Sequence, residues 1–91
     1  MKENIINLFG FNIEYDREII PDHLKFDIDL LYKISFNNES ISIGYAKEKQ
    51  GYKKEIVLMH SGFTGIYFKK IFVINKHIAN NFIKHFGIFE E

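Results

Sequence analysis

The stretch from Leu24 to Phe36 constrains this chain more than any other. In LKFDIDLLYKISF the positions Phe26, Ile28, Leu30, Tyr32, Ile34 and Phe36 are apolar. Lys25, Asp27, Asp29, Lys33 and Ser35 between them are polar, and Leu31 alone breaks the alternation. A strand sends successive side chains to opposite faces, so this pattern writes one buried face and one mostly wet face. A one-residue slip would turn the whole apolar set into water, which specifies the register strongly.

The segments that follow repeat the pattern in matching phase. Asn37-Asn38-Glu39-Ser40 is a turn cluster, and Ile41, Ile43 and Tyr45 alternate after it. A hairpin pairing Asn37 with Ser40 sets Phe36 against Ile41, Ile34 against Ile43 and Tyr32 against Tyr45, apolar to apolar. A second turn at Gln50-Gly51 leads to KKEIVLMHS; pairing Lys49 with Tyr52 puts Tyr45 opposite Ile56 and Ile43 opposite Leu58. Residues 24–60 thus read as a three-stranded antiparallel meander. Its second face collects Leu31, Ala46, Val57 and Met59 beside the small residues Ser35, Ser42 and Gly44, so that face too calls for a cover or a partner.

The flanks add helices and a further strand. ENIINLF (3–9) places Ile5, Ile6 and Phe9 on one helical side, with Gly10 as a C-cap, and predicts a short N-terminal helix. Phe11, Ile13 and Tyr15 alternate as a brief edge strand, and Asp16 to His23, with Pro21, reads as a connection. Ser61 to Gly65 reads as a loop, and IYFKKIFVI (66–74) as a fourth strand. Asn75 is placed to cap a C-terminal helix over 76–86, in which Ile78, Phe82, Ile83 and Phe86 recur at helical spacing before Gly87. The fold class is therefore α+β: an antiparallel sheet of four to five strands, with a short N-terminal helix and a C-terminal helix, in one domain spanning residues 1–91.

Composition agrees with a small packed domain. With 46% hydrophobic residues and ten Phe in 91 residues there is material for a core, which excludes a disordered chain. There is no Cys, hence no disulfide framework and no thiolate nucleophile or metal site. No apolar run matches a signal peptide or a transmembrane helix, and the expected location is cytoplasmic. Abundant Ile, Lys, Asn and Phe beside a single Arg, Arg17, suggest an AT-rich genome, bacterial or phage. Net charge is zero, yet residues 1–45 hold eight acids against four bases and residues 46–91 the reverse. Such halves either form a partner surface or interleave in the sheet so that the field cancels, and interleaving is the simpler expectation.

Four groups carry candidate chemistry. The register sets Glu48 opposite Asp29, with Asp27 beside them, an oxygen-rich group that a divalent ion could join; the neighbouring Lys25, Lys33 and Lys47 neutralise it as a solvated face. His77 and His85 stand eight apart, too far to share one ion, and His60 falls in phase with Ile56 and Leu58 as a core-edge residue. No serine lies in a nucleophile elbow. Lys49, Tyr52, Lys53 and Lys54, then Tyr67, Phe68, Lys69 and Lys70, interleave cations with aromatics as nucleic-acid binders do, although Arg, the preferred phosphate reader, is nearly absent. Gly62-Phe63-Thr64-Gly65 could present Phe63 on a loop tip.

These observations give a non-enzymatic protein-binding module without cofactor or metal, of the inhibitor, immunity-protein or phage-modulator kind. It would dock on a protein partner through Lys49, Tyr52, Lys53, Lys54, Phe63, Lys69 and Lys70, as a monomer or homodimer and away from membranes. The alternative is a nucleic-acid-binding accessory protein using the same Lys and aromatic surface.

Overall fold

The computed structural model describes residues 4–19, 26–48 and 55–86; of residues 26, 27, 47 and 48 the backbone alone is described. The elements run β1 (Ile5–Leu8), β2 (Phe11–Glu14), β3 (Arg17–Ile19), β4 (Phe26–Phe36), β5 (Glu39–Glu48), β6 (Glu55–Phe63), β7 (Tyr67–Ile74) and α1 (Lys76–His85). Strands β4 to β7 form the antiparallel meander, and β3 adds to the far side of β7, giving the order β3-β7-β6-β5-β4; β1 and β2 form a separate hairpin. The interleaving of the charged halves is visible here: β6 and β7, from the basic half of the chain, lie between β3 and the β4–β5 pair, although only β7 itself carries lysines. Arg17 on β3 also donates to Glu55 on β6 at 2.8 Å.

The N-terminal helix is not formed. Residues 5–8 are a strand, because Phe9 and Gly10 both take positive φ (53° and 87°), as the two central residues of a tight hairpin turn must. Gly10, expected as a helix cap, is the turn glycine, and its N–H donates to Asn7 Oδ1 at 3.2 Å. Ile6 and Leu8 alternate with a period of two, which competes with the helical spacing of Ile5, Ile6 and Phe9, and a seven-residue helix is too short to persist alone. The expected connection over 16–23 likewise holds strand β3, whose Arg17 and Ile19 pair with Val73 and Ile71. Residues 61–63 extend β6, so the loop shrinks to 64–66.

The meander registers split between agreement and correction. Tyr45 meets Ile56 and Ile43 meets Leu58, as expected. In the β4–β5 hairpin the two-residue turn is shifted by one residue: Asn37 takes φ +57°, residues 37 and 38 form the loop instead of 38 and 39, and Phe36 pairs with Glu39, Ile34 with Ile41 and Tyr32 with Ile43. Each strand moves by one residue relative to the expected pairing, so parity is kept and Ile34, Ile41 and Ile43 still share a face. The larger correction is at Leu31. A bulge between Leu30 and Tyr32 leaves Leu31 unpaired, and beyond it Leu30 faces Gly44 and Ile28 faces Ala46. The apolar set of β4 therefore does not share one face: Tyr32 and Ile34 lie on one side, Ile28 and Leu30 on the other.

Two cores result. On one face of the sheet Leu8, Ile13, Tyr32, Ile41, Ile43, Leu58, Phe72, Ile74, Ala79 and Phe82 are buried together, closed by α1 and the β1–β2 hairpin. This is the helix face. Asn75 caps α1 as expected, its side-chain oxygen accepting from the Ile78 N–H at 2.9 Å. On the opposite face Ala46, Val57, Ile71 and Val73 form a smaller cluster with Ile19, Ile28 and Met59 packed against it. Among the described residues, no helix is long and apolar enough to cross a membrane.

Candidate functional site

One end of the sheet combines the β4–β5 turn with the β6–β7 loop. Phe63 pairs with Tyr67 across that loop, and the Phe63 N–H donates to the Asn38 carbonyl at 3.1 Å, tying the two connections together. Because the loop is short and β6 runs to its edge, the apolar side chains there have nowhere to fold inward: Phe63 is 57% exposed, Ile66 77% and Tyr67 62%. Three large apolar residues thus form one rim.

Below the rim, on the face opposite the helix, a shallow cleft of about 340 Å³ is lined by Lys33, Ser35, Ser40, Ser61, Phe63 and Tyr67, with the Asn37-Asn38 turn at its edge. Its floor follows from register. Ser35 pairs with Ser40, Ser40 with Ser61, and Ser61 with Lys69, so three serines and a lysine cross four strands in one row. The Ser40 and Ser61 hydroxyls are 3.0 Å apart, one donating to the other.

The helix face of the same end is different. Glu39 Oε1 and His60 Nε2 are 2.9 Å apart, and the His60 ring meets Phe68 edge-on with centroids at 5.0 Å. Phe68 lies across Gly62, where a Cβ would come within 2.9 Å of its ring carbons. A cleft of about 410 Å³ opens beside them, lined by Ile6, Asn7, Leu8, His60, Phe68 and Lys70. His60 is thus a core-edge residue held by a carboxylate. Since Ser61 is the next residue on the strand, it points to the other face, and the two make no Ser–His pair.

The expected contact residues are divided. Phe63 is on the rim and Lys69 in the serine row, whereas Lys70 pairs with His60 and points to the helix face. Adjacent Lys69 and Lys70 therefore cannot track one phosphate backbone together. Lys49, Tyr52, Lys53 and Lys54 lie outside the described residues; the strand ends that border them, Glu48 and Glu55, are at the opposite end of β5 and β6 from the rim. The expected facing of Asp29 and Glu48 is not formed: the shifted turn and the bulge set Asp29 against Tyr45 and Glu48 against Phe26. Among the described residues no three His, Asp or Glu side chains converge as a metal site. Ile66 joined no expected contact set, and Tyr67 was expected only in the cation–aromatic surface of the nucleic-acid alternative; their place beside Gly65, whose φ is +89°, is the signal for a rim.

No protein-family model, no curated protein and no solved structure matches this chain.

Proposed function

We propose that this chain is a non-catalytic protein-binding module that docks on a partner protein through the Phe63–Ile66–Tyr67 end of its sheet. The observation that carries this is the gathering of three large apolar residues, each more than half exposed, at one short loop and the paired strand ends that flank it, where the Phe63 N–H is anchored to the Asn38 carbonyl. Isolated exposed apolar residues are ordinary; a contiguous apolar patch with a polar surround marks an interaction site. Burying each such side chain is worth about 1.5–3 kcal/mol, enough for a few anchors to dominate an interface. Inhibitors, immunity proteins and phage-encoded modulators act by such docking. Against the nucleic-acid alternative stands the divergence of Lys69 and Lys70 to opposite faces.

The test is affinity capture with the tagged chain from nuclease-treated bacterial lysate at moderate salt, compared with the double variant Phe63→Ser, Tyr67→Ser. One protein retained at a fixed ratio by the parent chain and lost by the variant, with unchanged melting temperature, is the expected result. Retention that disappears with nuclease, or is equal for the variant, overturns the proposal.

A further inference from the structure

The serine cleft beneath the rim has a chemistry of its own. Lys33 borders it from β4, and Lys69 closes the Ser35–Ser40–Ser61 row on β7. With strands about 4.8 Å apart, the two lysine backbones flank the Ser40–Ser61 pair from either side, and their flexible four-carbon stems can swing inward over it. Neither lysine forms an ion pair among the described residues. The carboxylate that also lines the cleft, Glu39, is engaged by His60, whose Nε2 lies 2.9 Å from its Oε1. Of the two serine hydroxyl protons, one is used within the 3.0 Å pair and the other is free to be given to an acceptor. Phe63 and Tyr67 wall the cleft on its loop side.

We propose that this cleft takes a short acidic peptide segment of a partner protein. A side-chain carboxylate of that segment sits over Ser40 and Ser61 between Lys33 and Lys69, and a neighbouring apolar side chain lies against Phe63 and Tyr67. The inference rests on the docking function above and names its partner's chemistry: cations and a hydroxyl donor for the acid, aromatic walls for the apolar neighbour. Charge-assisted hydrogen bonds are the strong ones, so the acid would fix position while the rim supplies buried area.

The experiment selects binders from a phage-displayed library of random dodecapeptides on the full chain. Fluorescence anisotropy then compares the parent chain with Lys33→Glu, Lys69→Glu, and with Phe63→Ser, Tyr67→Ser. Expected are peptides enriched in Asp or Glu next to an apolar residue, binding weakened about tenfold or more by the lysine reversal, and a selection on the reversed chain that enriches Lys or Arg instead. Peptides without acidic bias, or acidic peptides indifferent to the lysine reversal, overturn the proposal. So does a twelve-residue oligothymidylate that binds more tightly than the selected peptides and competes with them. The two claims separate cleanly: rim variants that abolish partner capture while the lysine reversal does not would sink the acidic-peptide inference and leave the docking function standing. Rim variants without effect would remove both.

Discussion

Gly44 and the backbone of Asp29 face each other across the β4–β5 pair with no room for a side chain between them. A Cβ on Gly44 would collide with the Asp29 carbonyl oxygen and stand 3.1 Å from the Leu30 Cα. This approach lies beside the Leu31 bulge, and a glycine is the residue that permits it. Gly44→Ala should therefore destabilise the fold by about 1–3 kcal/mol, since neighbouring backbone must move. Gly10→Ala is the useful comparison: open space surrounds it, but at φ +87° a Cβ brings strain of about 1–2 kcal/mol. Urea denaturation of both variants measures this, and a Gly44→Ala midpoint equal to that of the parent chain would show that the strands can separate freely there.

Phe82 locks α1 to the sheet. It is fully buried and its ring meets Phe11, Tyr32 and Phe86 at centroid distances of 5.9, 6.1 and 4.7 Å. Phe82→Ala should cost about 3–5 kcal/mol, a large share of the total stability of a domain this small. Loss of the cooperative thermal transition, or a large fall in its midpoint, is the expected outcome in a melt followed by circular dichroism.

Asn75 offers a smaller, local check. Removing its side-chain oxygen in Asn75→Ala leaves the Ile78 N–H without its acceptor and should cost about 1 kcal/mol. Asn75→Asp should retain most of that stability and Asn75→Ala should not, as read from chemical denaturation.

Tyr32 links burial to pH. Its hydroxyl is buried without a hydrogen-bond partner among the described residues, and burial pushes its ionisation above the ordinary tyrosine value of about 10. The folded chain keeps this proton where the unfolded chain begins to lose it, so the contribution is complete below pH about 10 and is lost as pH rises through the raised folded value. Tyr32→Phe should be as stable as the parent chain or more stable at neutral pH, because an unpartnered buried hydroxyl costs about 1–3 kcal/mol. It should also lose stability less steeply above pH 10. A marked loss of stability at neutral pH would instead reveal a partner for the hydroxyl.

Much of this fold is legible in the residues, and the failures have physical causes. Alternation in 41–45 and 56–58 and the Asn75 cap are local signals that tertiary packing reinforces, and they appear as expected. The N-terminal helix fails because Ile5, Ile6 and Phe9 fit a helical spacing while Ile6 and Leu8 fit a strand's, and the positive φ at Phe9, a residue type that rarely takes it, decides for the hairpin. The bulge is the deeper miss. Leu31 interrupts the alternation of β4 in plain sight, but an isolated apolar residue on a wet face is ordinary, and only the pairing with β5 shows that the face changes there. For the site, Phe63 and Lys69 were legible. The serine row was not, because it exists only once the registers of β4, β5, β6 and β7 are fixed together.

A partner protein that docks on the Phe63–Ile66–Tyr67 end of the sheet, as proposed above, comes within reach of residue 66. The most direct measurement is site-specific photocrosslinking, with p-benzoylphenylalanine replacing Ile66 in one sample and Ile5, an exposed residue of the β1–β2 hairpin, in another. After irradiation in nuclease-treated lysate, a covalent adduct of one defined mass is expected from position 66 and none from position 5. No adduct at position 66, or the same adducts from both positions, would contradict the proposed docking.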